Sequence, residues 1–151
     1  MNIKESYFKS AVMFKRLHLL FTEVIRHELM RMNIHDINST QCMIIYNIGH
    51  EKISVGDITN RRYYIGSNVS YNLRKMVEHK YVTQEKNPND LRSSKIMLSD
   101  KGIELHDKLD KLFESQAKTI FHADAIEAAE LLGSILINIE IFWLNLLKKD
   151  K

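Results

Sequence analysis

One proline, five glycines and one cysteine in 151 residues exclude several kinds of protein at once. With Pro88 the single proline, long stretches contain nothing that must end a helix. A lone Cys42 rules out a disulfide within the chain and suits a reducing compartment; any bridge would have to join two subunits. Cys42 lies in an apolar helix start, where a thiol is usually an inert small hydrophobe. No run approaches the ~18 consecutive apolar residues of a membrane span. The opening MNIKESYFKS lacks the apolar centre of a signal peptide. A cytoplasmic protein with no membrane contact is therefore expected. No Gly-rich phosphate loop, GxSxG or HExxH is present. Asp107 and Asp110 share a helix face, but carboxylates at that spacing are usually solvated. No enzymatic activity and no cofactor are expected. The seven histidines lack the i, i+4 pairing of helical metal sites, and no cysteine pair supports them, so no metal is expected. His18 falls on an apolar stripe, where a histidine is more often a satisfied core residue than a ligand.

What the chain does contain is 44% hydrophobic residues, enough for one domain with a real core. Its net charge of +3 is unevenly spread: Lys52 to Lys101 carries 10 Lys/Arg against 5 Asp/Glu, and the remainder carries 12 against 14. A basic middle between apolar-striped ends suggests a polyanion-binding module flanked by association elements. An unevenly charged solvated surface would give the same count.

A long helix is expected from Lys4 to Met32, with Tyr7, Ala11, Phe14, His18, Phe21 and Ile25 near one stripe. Asn38 and Gln41 form a capping box for a second helix, which Gly49 ends. After a short extended piece at Ile53, Ser54 and Asp57 open a short helix. Residues 63–66 form a turn, and Ser67 is the expected cap of the next helix. Val69, Leu73, Met76 and Val77 place one face of that helix inward. Tyr81-Val82 and Lys95–Leu98 read as two strands around Asn87-Pro88-Asn89-Asp90. Two short helices, the second polar-faced, followed by a basic hairpin make a mainly α winged helix-turn-helix with a small β wing. Ser99 caps a further long helix, and Asp124 and Glu127 open the last. The last helix is apolar nearly all round, from Leu131 to Leu147. A second copy of the chain is the simple way to bury it.

A helix lying in the major groove reads base edges mostly from its N-terminal part. The candidates are Ser67, Asn68, Ser70, Tyr71, Asn72, Arg74 and Lys75. Asn68 and Asn72 suit adenine, Tyr71 a thymine methyl, and Ser67 a phosphate. In the wing, Arg92 suits the minor groove and Asp90 would orient it. Lys86 and Lys95, with Arg61 and Arg62 before the turn, would meet phosphates. Double-stranded DNA is the expected partner.

Asp90-Leu91-Arg92, followed by Leu98-Ser99-Asp100-Lys101-Gly102-Ile103-Glu104-Leu105, resembles the MarR family of winged helix-turn-helix regulators. That family commonly has Asp-x-Arg in the wing and then Leu-Thr-x-x-Gly-x-x-Leu. Residues 61–73, RRYYIGSNVSYNL, resemble an alphaproteobacterial LdtR/PetP-like branch. The likeness covers nearly the whole chain. It implies a homodimer on a pseudo-palindromic operator, often released by a small aromatic or phenolic effector. It also implies one MarR-type domain over 1–151, with dimerisation helices in 1–35 and 100–151 and the DNA-binding lobe in 36–99. Phe14, Leu136, Ile139, Trp143 and Leu147 would dimerise. His18, Thr40, Met43, Tyr46 and Phe113 would line an effector crevice, an aromatic and Met-lined wall suiting a phenol. Two positions depart from the pattern: Leu91 stands where Arg often follows the wing Asp, and Lys80 where Gly usually ends the recognition helix. The alternative is a winged-helix protein-interaction module that binds DNA only non-specifically.

Overall fold

The computed structural model describes residues 2–60, 68–122 and 125–149. It divides into two compact units, Met1–Lys108 and Leu109–Lys151.

In the first unit, helix α1 (Ile3–Arg31) begins at an Asn2–Glu5 capping box and runs unbroken through a segment with no Gly or Pro. Ile25 and Leu29 are its buried residues. Helix α2 (Ser39–Ile48) starts at the expected Asn38–Gln41 box and ends at Gly49, whose φ of 58° is the left-handed geometry that favours glycine. Ile44, Ile45 and Ile48 are fully buried and form the centre of the unit. Strand β1 (Ile53–Ser54) leads into α3 (Val55–Asn60), where Ser54 Oγ accepts from Asp57 N at 2.9 Å. Helix α4 (Val69–Glu78) buries Val69, Leu73 and Met76, a spacing of one residue per turn on one side.

Strands β2 (Val82–Glu85) and β3 (Lys95–Leu98) form the hairpin, and β1 pairs on the other side of β3, giving the antiparallel order β1-β3-β2. Val82 faces Leu98 and Gln84 faces Ile96, so the apolar partners point inward. Thr83–Met97 and Glu85–Lys95 pair on the exposed side. This is the two-residue alternation of a half-buried sheet.

The exit from α4 is a tight left-handed turn. Lys80 N donates to Val77 O and Tyr81 N to Met76 O, with Lys80 at φ 65°. A side chain here strains the backbone, by roughly 1–2 kcal/mol. Lys80→Gly is expected to raise stability by about 1 kcal/mol, since glycine removes that strain but frees the unfolded chain. A urea midpoint that stays put or falls, at unchanged slope, would contradict this account.

Past the turn, Tyr81 is buried, its hydroxyl donates to Asp36 Oδ1 at 2.8 Å, and Lys101 Nζ lies 4.0 Å from the ring centroid. Burial raises the Asp36 carboxyl's pKa, but hydrogen bonds from Lys101 and Tyr81 and the Lys101 charge outweigh it, leaving the net shift downward. Helix α5 (Asp100–Ile120) begins as expected at Ser99, whose Oγ accepts from Gly102 N at 3.2 Å. Among the described residues no buried side-chain polar atom lacks a partner.

The second unit contains the remainder of α5 and the helix α6 (Ile126–Lys149). Ile126–Lys148 has a mean hydropathy of 1.5 and is long and apolar enough to cross a membrane by length and composition. Glu130, Ser134, Asn138 and Glu140 break its apolar run, so it holds no unbroken apolar stretch of ~18 residues although the helix is continuous. Large apolar side chains stay exposed along it, including Leu131 at 62%, Phe142 at 57% and Leu147 at 65%.

Candidate nucleic-acid interface

Helix α4 is capped by Asn68, whose Oδ1 accepts from Tyr71 N at 3.0 Å. Ser67, the expected cap, lies outside the described residues, as do Arg61 and Arg62. With its oxygen committed to the cap, Asn68 is not poised for the bidentate adenine pairing expected of it.

Ser70 and Tyr71, and Arg74 about one turn further on, are exposed on the outward face of α4. Lys75 shares this side but is half-buried and bonded to Glu78 at 2.9 Å. Asn72 corrects the sequence reading. It is 8% exposed and lies on the buried side with Leu73, away from the exposed Ser70, Tyr71 and Arg74. Its Nδ2 donates to Asn68 O at 2.9 Å, and its Oδ1 accepts from Gln41 Nε2 at 3.2 Å. Gln41 Oε1 in turn accepts from Asn38 N at 3.0 Å. Two side-chain amides, Gln41 and Asn72, thus connect the start of α2 to the start of α4. Gln41 was not a sequence candidate for this role; it lies 31 residues from Asn72, and nothing local announces the pairing.

The wing is held by its own polar groups. Asn87 N donates to the buried Ser94 Oγ at 2.9 Å, and Asn87 Nδ2 to Ser93 Oγ at 2.8 Å. Asp90 caps a 3₁₀ turn, Leu91–Ser93, by accepting from Arg92 N at 3.0 Å. Asp90 therefore orients Arg92 through the backbone, not through the guanidinium. The guanidinium Nη2 instead donates to Asn60 Oδ1 at 3.3 Å. A Cβ at Gly56 would lie 3.7 Å from both Arg92 Cβ and Nε, so this arginine rests along α3. Lys86 and Lys95 are exposed. Lys95 lies across from Glu85, which also bonds Lys52 at 2.7 Å.

A cleft of about 250 Å³ joins helix to wing, lined by Val55, Ser70, Leu73, Arg74, Gln84, Lys86 and Leu91. It brings together three of the predicted DNA contacts, Ser70, Arg74 and Lys86. It also places Leu91, 66% exposed, at the wing side of the same cleft.

The other candidates fall elsewhere. Thr40, Met43 and Tyr46 are half-buried on one face of α2, and Tyr46 stacks on His106 with ring centroids 5.2 Å apart. His18 is exposed, contrary to the core position expected of it. Phe113 belongs to the second unit. None of these five lines a separate cavity of about 300 Å³ between α1 and the start of α2, bordered by Arg26, Leu29, Met30, Ile34 and Ile37 among others. Cys42 is fully buried, and burial pushes its thiol pKa up to about 12, so thiolate is absent at neutral pH. Of the dimerisation candidates, Phe14 and Ile139 are half-buried, while Leu136, Trp143 and Leu147 are exposed.

A polar-faced helix preceded by a short helix and followed by a two-stranded wing, with β1 pairing alongside β3, defines a winged helix-turn-helix protein. Residues 35–93 match the model of the MarR family. The exopolysaccharide II synthesis transcriptional activator ExpG of Rhizobium meliloti (strain 1021) is 30% identical over 141 residues, which cover 93% of this chain and 73% of that protein. The chain belongs to the MarR family and is a transcriptional regulator, not an enzyme. Two solved structures of MepR from S. aureus share its fold. MepR in its DNA-binding conformation has a TM-score of 0.69 at 19% identity, covering 89% of this chain and 98% of that one. The MepR–DNA complex has a TM-score of 0.65 at 18% identity, covering 85% and 94%.

Proposed function

We propose that this regulator binds a pseudo-palindromic operator as a homodimer in the cytoplasm, each subunit laying α4 in a major groove and its wing along the flanking backbone. The observation that carries this is the single surface on which Ser70, Tyr71 and Arg74 stand beside the Lys86 cleft. Ser70 and Tyr71 suit base edges, and Arg74 suits a guanine or a phosphate. Lys86 and Lys95 serve the backbone. Arg92, tethered to Asn60, reaches the minor-groove side only if that bond is exchanged for one to DNA. Half-sites would lie about 10 bp apart, one turn of duplex. Two-fold symmetry would come from Phe14 on α1 and from Leu136, Ile139, Trp143 and Leu147 on α6. On this reading α6 is a dimer helix and not a membrane span. A small aromatic or phenolic effector would act at the α2 face of Thr40, Met43 and Tyr46 and would shift operator affinity by favouring one subunit arrangement. ExpG is named as an activator and MepR was solved on DNA, which supports the operator reading without fixing the sign of control.

Selection from random duplex pools tests the proposal. A two-fold-symmetric motif is expected, with affinity falling steeply with salt. Arg74→Ala should weaken the selected site by ~1–3 kcal/mol if it reads a base. Equal losses on selected and random DNA would make it a phosphate contact instead. Retention of DNA with no enriched motif would favour the protein-interaction module.

A further inference from the structure

We propose that His50, His106 and Asp107 form a binding site for a divalent late first-row transition-metal ion of the zinc type, joining the link after α2 to helix α5. Each residue offers one ligand atom, and the three atoms all lie within 4.8 Å of one another. His50 Nε2 is 3.2 Å from Asp107 Oδ1, and His106 Nδ1 is 3.1 Å from the same oxygen. A tetrahedral zinc ion with bonds of about 2.0–2.1 Å places its ligand atoms about 3.3 Å apart. Two of the three required separations already have that length; closure needs only the two imidazoles to draw together. In the metal-free protein the same carboxylate oxygen lies within hydrogen-bond distance of both rings; with a cation between the three atoms, each neutral imidazole would carry its proton on the other ring nitrogen.

The local fold prepares the geometry. The left-handed Gly49 turns the chain directly before His50, and a Cβ there would lie 3.7 Å from His106 Nε2. His106 is packed, its side chain 14% exposed and its ring stacked on Tyr46 at an interplanar angle of 16°. One ligand is thus fixed in place. His50 and Asp107, at 63% and 52%, remain open to an arriving ion and leave room for water in a fourth position. Two imidazoles with one carboxylate select zinc, cobalt, nickel or copper over calcium and magnesium, which take oxygen ligands. No periodicity along the chain brings residues 50 and 106 together, which is why spacing alone led to the opposite expectation.

Titration of the tag-free full-length protein with Co²⁺ and then Zn²⁺ tests the site without reference to DNA. One Co²⁺ per chain is expected, with the visible absorption of a low-coordinate N/O site, displaced by Zn²⁺. His50→Gln and Asp107→Asn should each weaken binding at least ~10-fold, comparable to or beyond the loss of an outer-shell partner. His18→Gln, on an exposed unrelated histidine, should not weaken it. Both site residues are half or more exposed, so the helical circular dichroism of the variants should match wild type. Wild type that fails to saturate at millimolar Co²⁺ overturns the proposal. So does unchanged affinity in both site variants, or an equal loss in the His18 control.

Discussion

A Leu136→Asp, Trp143→Asp double variant is expected to run as a folded monomer, and the wild-type chain as the proposed dimer. Leu136, Ile139, Trp143 and Leu147 recur every three to four residues, so they lie along one stripe of α6. Leu136 and Trp143 remain 40% and 37% exposed in the single chain, and Leu147 65%. Burying such side chains against a second copy contributes roughly 25 cal/mol per Å² of apolar area. Because a two-fold interface presents each residue twice, two substitutions place four carboxylates in it. An unpaired charge in a desolvated interface costs several kcal/mol. The dissociation constant should therefore rise by at least ~100-fold, about 2.8 kcal/mol. Light scattering coupled to gel filtration reads the mass, and circular dichroism the helix content. A mass unchanged by the double substitution would remove α6 from the dimer interface.

The second large effect is expected at Gly102. A Cβ there would overlap the carbonyl oxygen of Tyr81 and press on Leu98 Cβ at 3.1 Å. Neither neighbour can retreat easily. The Tyr81 carbonyl accepts from Ser99 N at 3.0 Å, and its side chain is held by Asp36 and Lys101. Leu98 is a buried strand residue paired with Val82. Overpacking of this kind typically costs 1–3 kcal/mol, and backbone overlap puts Gly102→Ala near or above the top of that range. Against a total stability of about 5–15 kcal/mol, the variant should melt roughly 6–12 °C below wild type. A melting temperature within 2 °C of wild type would show that α5 shifts freely at its start. The glycine of the Leu-Ser-x-x-Gly segment thus has a steric reason: it is where α5 passes over the link between α4 and β2.

Local signals in the sequence were easy to read because their causes are local. The boxes at Asn38–Gln41 and Ser54–Asp57, the left-handed Gly49 and the Val69–Leu73–Met76 stripe all act within one or two turns of helix. Asn72 shows how polarity misleads. It lies three residues after Val69 and one before Leu73, so its position belongs to the inward stripe. Its amide suggested exposure, but burial is tolerable because both ends of that amide are bonded. Arg92 with Asn60 and His50 with Asp107 join residues 32 and 57 positions apart, and only the folded chain brings them together. The apolar surround of α6 pointed to a partner from composition alone.

The amide chain from Asn38 through Gln41 and Asn72 to Asn68 also bears on how this regulator is controlled. It bolts the leading end of α2 to the leading end of α4. Its middle bond, between two side chains that are each less than 9% exposed, has no water ready to replace a lost partner. A push on α2 must therefore either carry α4 along as one rigid piece or break that bond at the cost of stranded amides. A push received on α2 would turn α4 like a rudder on a fixed tiller, without touching the exposed face of Ser70, Tyr71 and Arg74.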